Sequence, residues 1–223
     1  MHPCYVKPLN PLNLKLFLNG SVPMSATLSP PPLVLASQSP YRAKALNDLG
    51  FSFTQIAPEI DERAANERDS EKLSLQLAQT KCQKVRSIAP DAVVIGCDQV
   101  GECKGVQLTK PQTSERAIEQ LHLCQGNVAN FYTSIAVAVP GTPPLHGRCV
   151  HTQLKFRSLS TSEIERYVAL DQPLDCAGAF KVESLGILLF DEVRSEDPSA
   201  LIGLPIIALS TFLREAGIDP LNT

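Results

Sequence analysis

Leu33-Val34-Leu35-Ala36-Ser37-Gln38-Ser39-Pro40-Tyr41-Arg42 is the stretch on which the fold turns. Its first four residues form a continuous apolar run, the pattern of a strand buried on both faces. Ser39 then fits a helix N-cap, and Pro40 fits the first helical position, where a missing N–H costs nothing. Gly50 closes the segment as the residue that ends a helix in the left-handed conformation. The stretch therefore predicts a strand, a tight turn and a helix of about ten residues.

Working outward, residues 51–57 make a second short strand candidate, followed by the acidic loop Pro58-Glu59-Ile60-Asp61-Glu62. A helix is expected over residues 70–85, with Leu73, Leu77, Lys81 and Val85 four apart and stacked on one face. A lysine on that core-facing row is anomalous. Residues 92–96 read as another buried strand, which places Asp98 at a strand's carboxyl end, ahead of a polar loop to Thr109-Lys110-Pro111. Residues 114–123 read as helix and 130–139 as strand. Val150, Thr152, Leu154 and Phe156 alternate with period two, as on a half-exposed antiparallel strand. Ser160-Thr161-Ser162-Glu163 is a capping box that opens a helix to about Leu170. Residues 185–190 read as strand, and 204–216 as a last helix stopped by Gly217. Buried runs beside an antiparallel strand imply an α/β protein with a mixed sheet. The spacing G-x-G-x-x-G is missing, as is G-x-x-x-x-G-K-[ST], which excludes the dinucleotide-binding and P-loop folds.

Composition narrows the function classes. The 223 residues are 43% apolar and 19% charged with a net charge of −3, enough for a sizeable core in a single domain. A slightly acidic chain gives no electrostatic reason to expect nucleic acid or an anionic membrane as partner. No apolar run reaches the length of a transmembrane helix. The cysteines are odd in number (7) and none forms C-x-x-C, so reduced thiols in the cytoplasm are expected rather than zinc or disulfides. Seven of the 18 prolines precede Leu33 and no signal-peptide core is present, so residues 1–23 read as an extension or as lying upstream of a start at Met24. Residues 24–223 are then expected to form one domain.

Candidate chemistry clusters in a few stretches. The helix N-terminus after Ser37 favours phosphate through free N–H groups and its dipole. Ser37 and Ser39 add hydroxyls, and Arg42 adds a planar cation. Asp98 at a strand end sits where α/β sheets tend to bind ligands. Lys81 and Lys110 are further cations, and Glu59, Asp61 and Glu62 offer hard oxygen ligands for Mg²⁺ or Mn²⁺. Viewed singly, each also fits a commonplace role as cap, solvated loop or snorkelling side chain. Taken together they supply what phosphoryl chemistry needs: cations around phosphates, a carboxylate-held metal and a base for water.

The string Leu35-Ala36-Ser37-Gln38-Ser39-Pro40-Tyr41-Arg42 resembles L-A-S-x-S-P-x-R, the opening signature of the Maf family of nucleoside triphosphate pyrophosphatases. The likeness continues through residues 57–62, 77–81, 95–99, Lys110-Pro111 and Gly203-Leu204-Pro205, and covers roughly residues 33–221. It implies an inosine-triphosphatase-like elongated mixed sheet with two lobes around a cleft, a nucleotide substrate, a divalent metal and a typical homodimer. It also implies roles: Asp98 as base, Glu62 with Asp98 for the metal, and Ser37, Arg42, Lys81 and Lys110 on the triphosphate. Tyr41, Gln99 and Glu183 resemble the aromatic, Gln and Glu of the branch acting on 7-methyl-GTP, where the dTTP/UTP branch is expected to show Arg, Thr and Gln. A dTTP/UTP or broader pyrophosphatase is the alternative within the family, and a nucleotide-binding division regulator without turnover the alternative outside catalysis. The family's G-K-P stands here as Thr109-Lys110-Pro111, and Gln125 replaces the serine before Gly126.

Overall fold

The structure is a computed structural model that describes residues 31–142, 145–219 and 221, so the extension inferred for residues 1–23 lies outside the described residues. The stretch 33–42 folds as its pattern dictates. Strand β1 (Leu33–Ala36) is buried along its length, and helix α1 (Pro40–Asp48) starts from Ser39, whose hydroxyl accepts the Arg42 N–H. Gly50 follows the helix at φ 78°. The remaining elements are β2 (Thr54–Gln55), α2 (Ser70–Arg86), β3 (Val93–Cys103), β4 (Val106–Leu108), α3 (Ser114–Cys124), β5 (Val128–Ala138), β6 (His146–Phe156), α4 (Thr161–Asp171), β7 (Phe190–Ser195) and α5 (Ile206–Glu215). The alternating residues Val150, Thr152, Leu154 and Phe156 all face inward on β6, and the Ser160–Glu163 capping box is formed in full.

The strands make one mixed sheet in the order β2-β1-β3-β5-β6-β7, with β4 pairing β3 beside this path. β3 organises it. Along one side it runs antiparallel to β5 from Val94↔Ala138 to Cys103↔Ala129. On its other side β1 pairs in parallel as far as Gly96, and β4 pairs antiparallel from Gly101 onward. Between Gly96 and Gly101 that side of β3 has no neighbouring strand among the described residues, and Asp98 and Gln99 lie in the gap. The core falls into three clusters, two on opposite faces at one end of the long strands and one at the other end. Toward β1, Leu35, Leu46, Ile95, Ile135 and Leu209 pack α1 and α5 onto one face, while Ala78, Cys82, Val85 and Val94 pack α2 onto the other. Toward β4, Leu121, Phe131, Phe156, Ile164 and Phe180 join α3 and α4 to the sheet. This is the mixed α/β architecture expected from the sequence.

Departures from the sequence reading have local causes. β3 does not end near Gly96 but continues to Cys103, so Asp98 lies mid-strand. The polar stretch after it turns back at Lys104 (φ 53°) and Gly105 (φ 76°), a two-residue hairpin of the kind that demands left-handed residues. Residues 185–190 are apolar enough for a strand, yet Leu185–Leu189 form a 3-10 helix and the strand begins only at Phe190. There the backbone of Gly186 lies against Lys181, whose carbonyl carbon would stand 2.8 Å from an added Cβ, too tight a turn for extended chain. Of residues 51–57 only Thr54 and Gln55 pair with β1.

Candidate active site

The gap in the sheet opens into a cleft of about 1160 Å³ lined by Ser37, Tyr41, Arg42, Glu62, Lys81, Asp98, Gln99, Lys110 and Glu183. Glu59 and Asp61, the other two carboxylates of the acidic loop, are not among its lining residues, and Asp61 instead accepts from Arg63 N at 3.0 Å. At the floor of the cleft lies the lysine that was anomalous on the core-facing row of α2. Lys81 is 7% exposed and its Nζ donates to Asp98 Oδ1 at 2.5 Å, while Glu62 Oε1 stands 2.6 Å from the same nitrogen. Gly96 makes this meeting possible. A Cβ there would come within 2.7 Å of Cys82 Cβ and closer still to the Ala78 carbonyl oxygen, so only glycine lets α2 lie this near β3. Burial pushes the Asp98 carboxyl above the usual carboxylate range, and the charges of Lys81 and Arg42 pull against it.

The turn between β1 and α1 forms a second wall. Ser37 Oγ accepts from Ser39 N at 3.1 Å and from Arg42 Nη1 at 3.2 Å, which leaves its own hydrogen free to donate into the cleft. Arg42 is more heavily engaged than its place in the turn suggested. Its Nη1 also donates to Cys97 O at 2.8 Å, the carbonyl just past the last residue that β1 pairs, and its Nε donates to Gly203 O at 2.8 Å. Nη2 alone has no protein partner among the described residues. Arg42 thus braces the walls and offers one edge to an anion. Lys110 is exposed in the cleft with no ion-pair partner among the described residues.

The third wall carries groups suited to reading a base. Tyr41 Oη donates to the Asp175 carboxylate at 3.0 Å and accepts from Cys176 Sγ at 3.6 Å. Burial, then Cys176 and Asp175, raise the Tyr41 hydroxyl well above its ordinary range, so it stays protonated. Gln99 Nε2 donates to Ala200 O at 3.1 Å, Leu201 O at 3.2 Å and Thr133 Oγ1 at 2.9 Å. Two carbonyls fix which end is nitrogen, and Oε1 has no hydrogen-bond partner among the described residues. Glu183 is exposed on the cleft wall. Sequence reasoning missed Asp175, Arg63 and Arg116, which line the same cleft. Asp175 stands eight residues before Glu183 in the chain, so proximity in sequence was a usable signal. The two arginines look like any surface arginine until the chain folds.

Glu62 and Asp98 converge on one point, Lys81 Nζ, and each has an oxygen not used there. Such a pair fits Mg²⁺ or Mn²⁺, which are commonly held by one or two carboxylates together with substrate phosphates. Among the described residues no group of three or more His, Cys, Asp or Glu is placed to hold a metal ion.

Residues 32–216 match the family model described as Maf-like protein. The chain belongs to the Maf family. Relatives named 7-methyl-GTP pyrophosphatase share it: that of Saccharophagus degradans is 42% identical over 189 residues, covering 85% of this chain and 96% of the relative. That of Xanthomonas axonopodis pv. citri is 46% identical over 189 residues, covering 85% and 98%. That of Idiomarina loihiensis is 42% identical over 193 residues, covering 86% and 98%. The Maf match thus takes in every residue of the cleft.

Proposed function

We propose that this chain hydrolyses a nucleoside triphosphate between its α and β phosphates, with 7-methyl-GTP as preferred substrate. The observation that carries the reading is the buried Lys81 joined to both Asp98 and Glu62 at the floor of a cleft that also holds Ser37, Lys110 and the Tyr41 wall. Relatives bearing the name 7-methyl-GTP pyrophosphatase over nearly their whole length support the substrate.

In this reading the triphosphate lies across Ser37 Oγ, Arg42 Nη2, Lys81 and Lys110. Asp98 takes a proton from water as the water oxygen bonds to phosphorus. The bond from phosphorus to the bridging oxygen breaks, leaving nucleoside monophosphate and pyrophosphate. Burial favours Asp98 as a base, because a carboxylate out of water holds a proton more tightly than one in solution. A divalent metal held by Glu62 and Asp98 would neutralise charge developing on the phosphates.

At the base, N7-methylation leaves guanine cationic. The Tyr41 face attracts a cation by about 0.5–2 kcal/mol, and the carboxylates of Glu183 and Asp175 line the same cleft. Gln99 Oε1 accepts from a base N–H, which guanine offers. A neutral pyrimidine can also offer an N–H to Gln99, but it gains neither the cation–π contact nor the charge offset from the carboxylates. Six free cysteines among the described residues support a reducing compartment, hence the cytoplasm, and no described helix is long and apolar enough to cross a membrane.

Pyrophosphate release from 7-methyl-GTP, GTP, dTTP and UTP, measured side by side, tests the assignment. The methylated nucleotide should lead in kcat/KM, and Glu183→Gln should erase most of that lead. Equal rates on all four would remove the roles of Tyr41 and Glu183. Tight binding without any release would favour a regulator.

A further inference from the structure

The mechanism leaves one buried carboxylate unused. Asp197 is 3% exposed and has no ion-pair partner among the described residues. Its oxygens are spent on its own loop: Oδ1 accepts the Ser199 N–H at 3.0 Å and also the Ser199 hydroxyl, and Oδ2 accepts the Ile207 N–H at 2.7 Å. Ser199 Oγ, with its one hydrogen given to Asp197, accepts from Ile206 N at 2.8 Å, and Leu204 O lies 3.0 Å from the same oxygen. Asp197 and Ser199 thus tie both ends of residues 198–207 together and cap the first turn of α5, whose N-cap residue is Pro205 and has no capping side chain of its own.

The loop so clamped faces the cleft. Inside it, the 3-10 turn Pro198–Ile202 presents Ala200 O and Leu201 O to Gln99, and Gly203, at φ 104°, presents its carbonyl to Arg42. Gln99 is chemically symmetrical enough to turn over. Rotating its amide by half a turn exchanges a free acceptor for a free donor, and only the two carbonyls oppose that exchange.

We infer that Asp197 is a positioning residue for base selection, acting through the 198–203 turn to hold the Gln99 amide with its oxygen toward the substrate. The inference rests on Gln99 reading the base, and adds what fixes its reading. An asparagine at 197 has the same shape but offers only one acceptor oxygen. Either placement of its amide sets an NH₂ against a backbone N–H, of Ser199 or of Ile207, which loosens the turn and frees Gln99 to rotate.

The test is the ratio of kcat/KM for 7-methyl-GTP to that for ATP, whose ring N1 accepts where guanine N1–H donates, in wild type, Asp197→Asn, Gln99→Ala and the double variant. Asp197→Asn should lower the ratio roughly tenfold, the worth of one oriented hydrogen bond. In the Gln99→Ala background it should lower the ratio no further, because the group through which it acts is gone. A merely structural aspartate would slow both substrates alike and leave the ratio unchanged, and that result overturns the inference, as does a full additional loss in the double variant. If Asp197→Asn does not fold, Ser199→Ala, which removes the link to Ile206 N, is read by the same ratio. A wild type without preference would instead overturn the reading of the substrate, so the two failures are distinct.

Discussion

Replacing Lys81 by methionine keeps the length of the side chain and removes its charge, leaving Asp98 buried with no ammonium beside it. Both members of that pair are nearly closed to solvent, with side chains 8% and 9% exposed, so water cannot screen the loss. Breaking a buried pair in this way costs about 3–5 kcal/mol. The Glu62 arm, over half exposed at 57%, adds little. At roughly 2–4 °C of melting temperature per kcal/mol for a chain of this size, Lys81→Met should melt about 6–20 °C below wild type at neutral pH. The pH dependence carries the sign. Asp98 already titrates above its unfolded value, and removing its strongest opposing charge raises it further. A carboxyl raised on folding contributes stability that is intact below its unfolded pKa and lost as pH climbs through the folded one. The variant should therefore approach wild type below about pH 4, where Asp98 is neutral in both states, and fall away toward neutrality. Thermal melts from acid to neutral pH, alongside pyrophosphate release, measure both effects. A penalty that is flat across pH, or wild-type melting at neutral pH, would refute the coupling of Lys81 to Asp98.

Other outcomes follow from particular contacts. Gly96→Ala forces α2 away from β3 and should cost about 1–3 kcal/mol, with a fall in kcat larger than the rise in KM because it parts Lys81 from Asp98. Ser160→Ala removes the hydroxyl that caps α4 and should cost about 1 kcal/mol, seen in urea melts, with turnover unchanged. The Cys97 and Cys82 thiols are fully buried, and burial pushes them up to about 11 and about 12. Neither should react with a thiol-specific disulfide reagent at pH 8 until denaturant is added, as a spectrophotometric thiol count will show.

Much of this was legible in the chain because local patterns and tertiary packing agree. Ser39 with Pro40, the row on α2, the alternation on β6 and the capping box each point to the element that forms. Lys81 was visible as a conflict, a charge on a buried row, and the conflict resolves at the site. What stayed hidden depends on pairing between distant residues. The continuation of β3 past Asp98 depends on β4 folding back and on β5 pairing its far edge. The bracing of Arg42 depends on the end of β1 leaving Cys97 O free, and the fixed amide of Gln99 depends on a loop about a hundred residues away. The apolar run at 185–190 misled because three of its side chains, Leu185, Ile187 and Leu188, face solvent.

The central step is an acid in the sheet gap preparing water to cleave a triphosphate. The most direct measurement is product analysis of 7-methyl-GTP with Mg²⁺ or Mn²⁺, comparing wild type with Asp98→Asn. Wild type should yield 7-methyl-GMP and pyrophosphate in equal amounts, and the variant should bind the nucleotide yet release neither at an appreciable rate. Release of orthophosphate and 7-methyl-GDP, or an Asp98→Asn variant as fast as wild type, would contradict it.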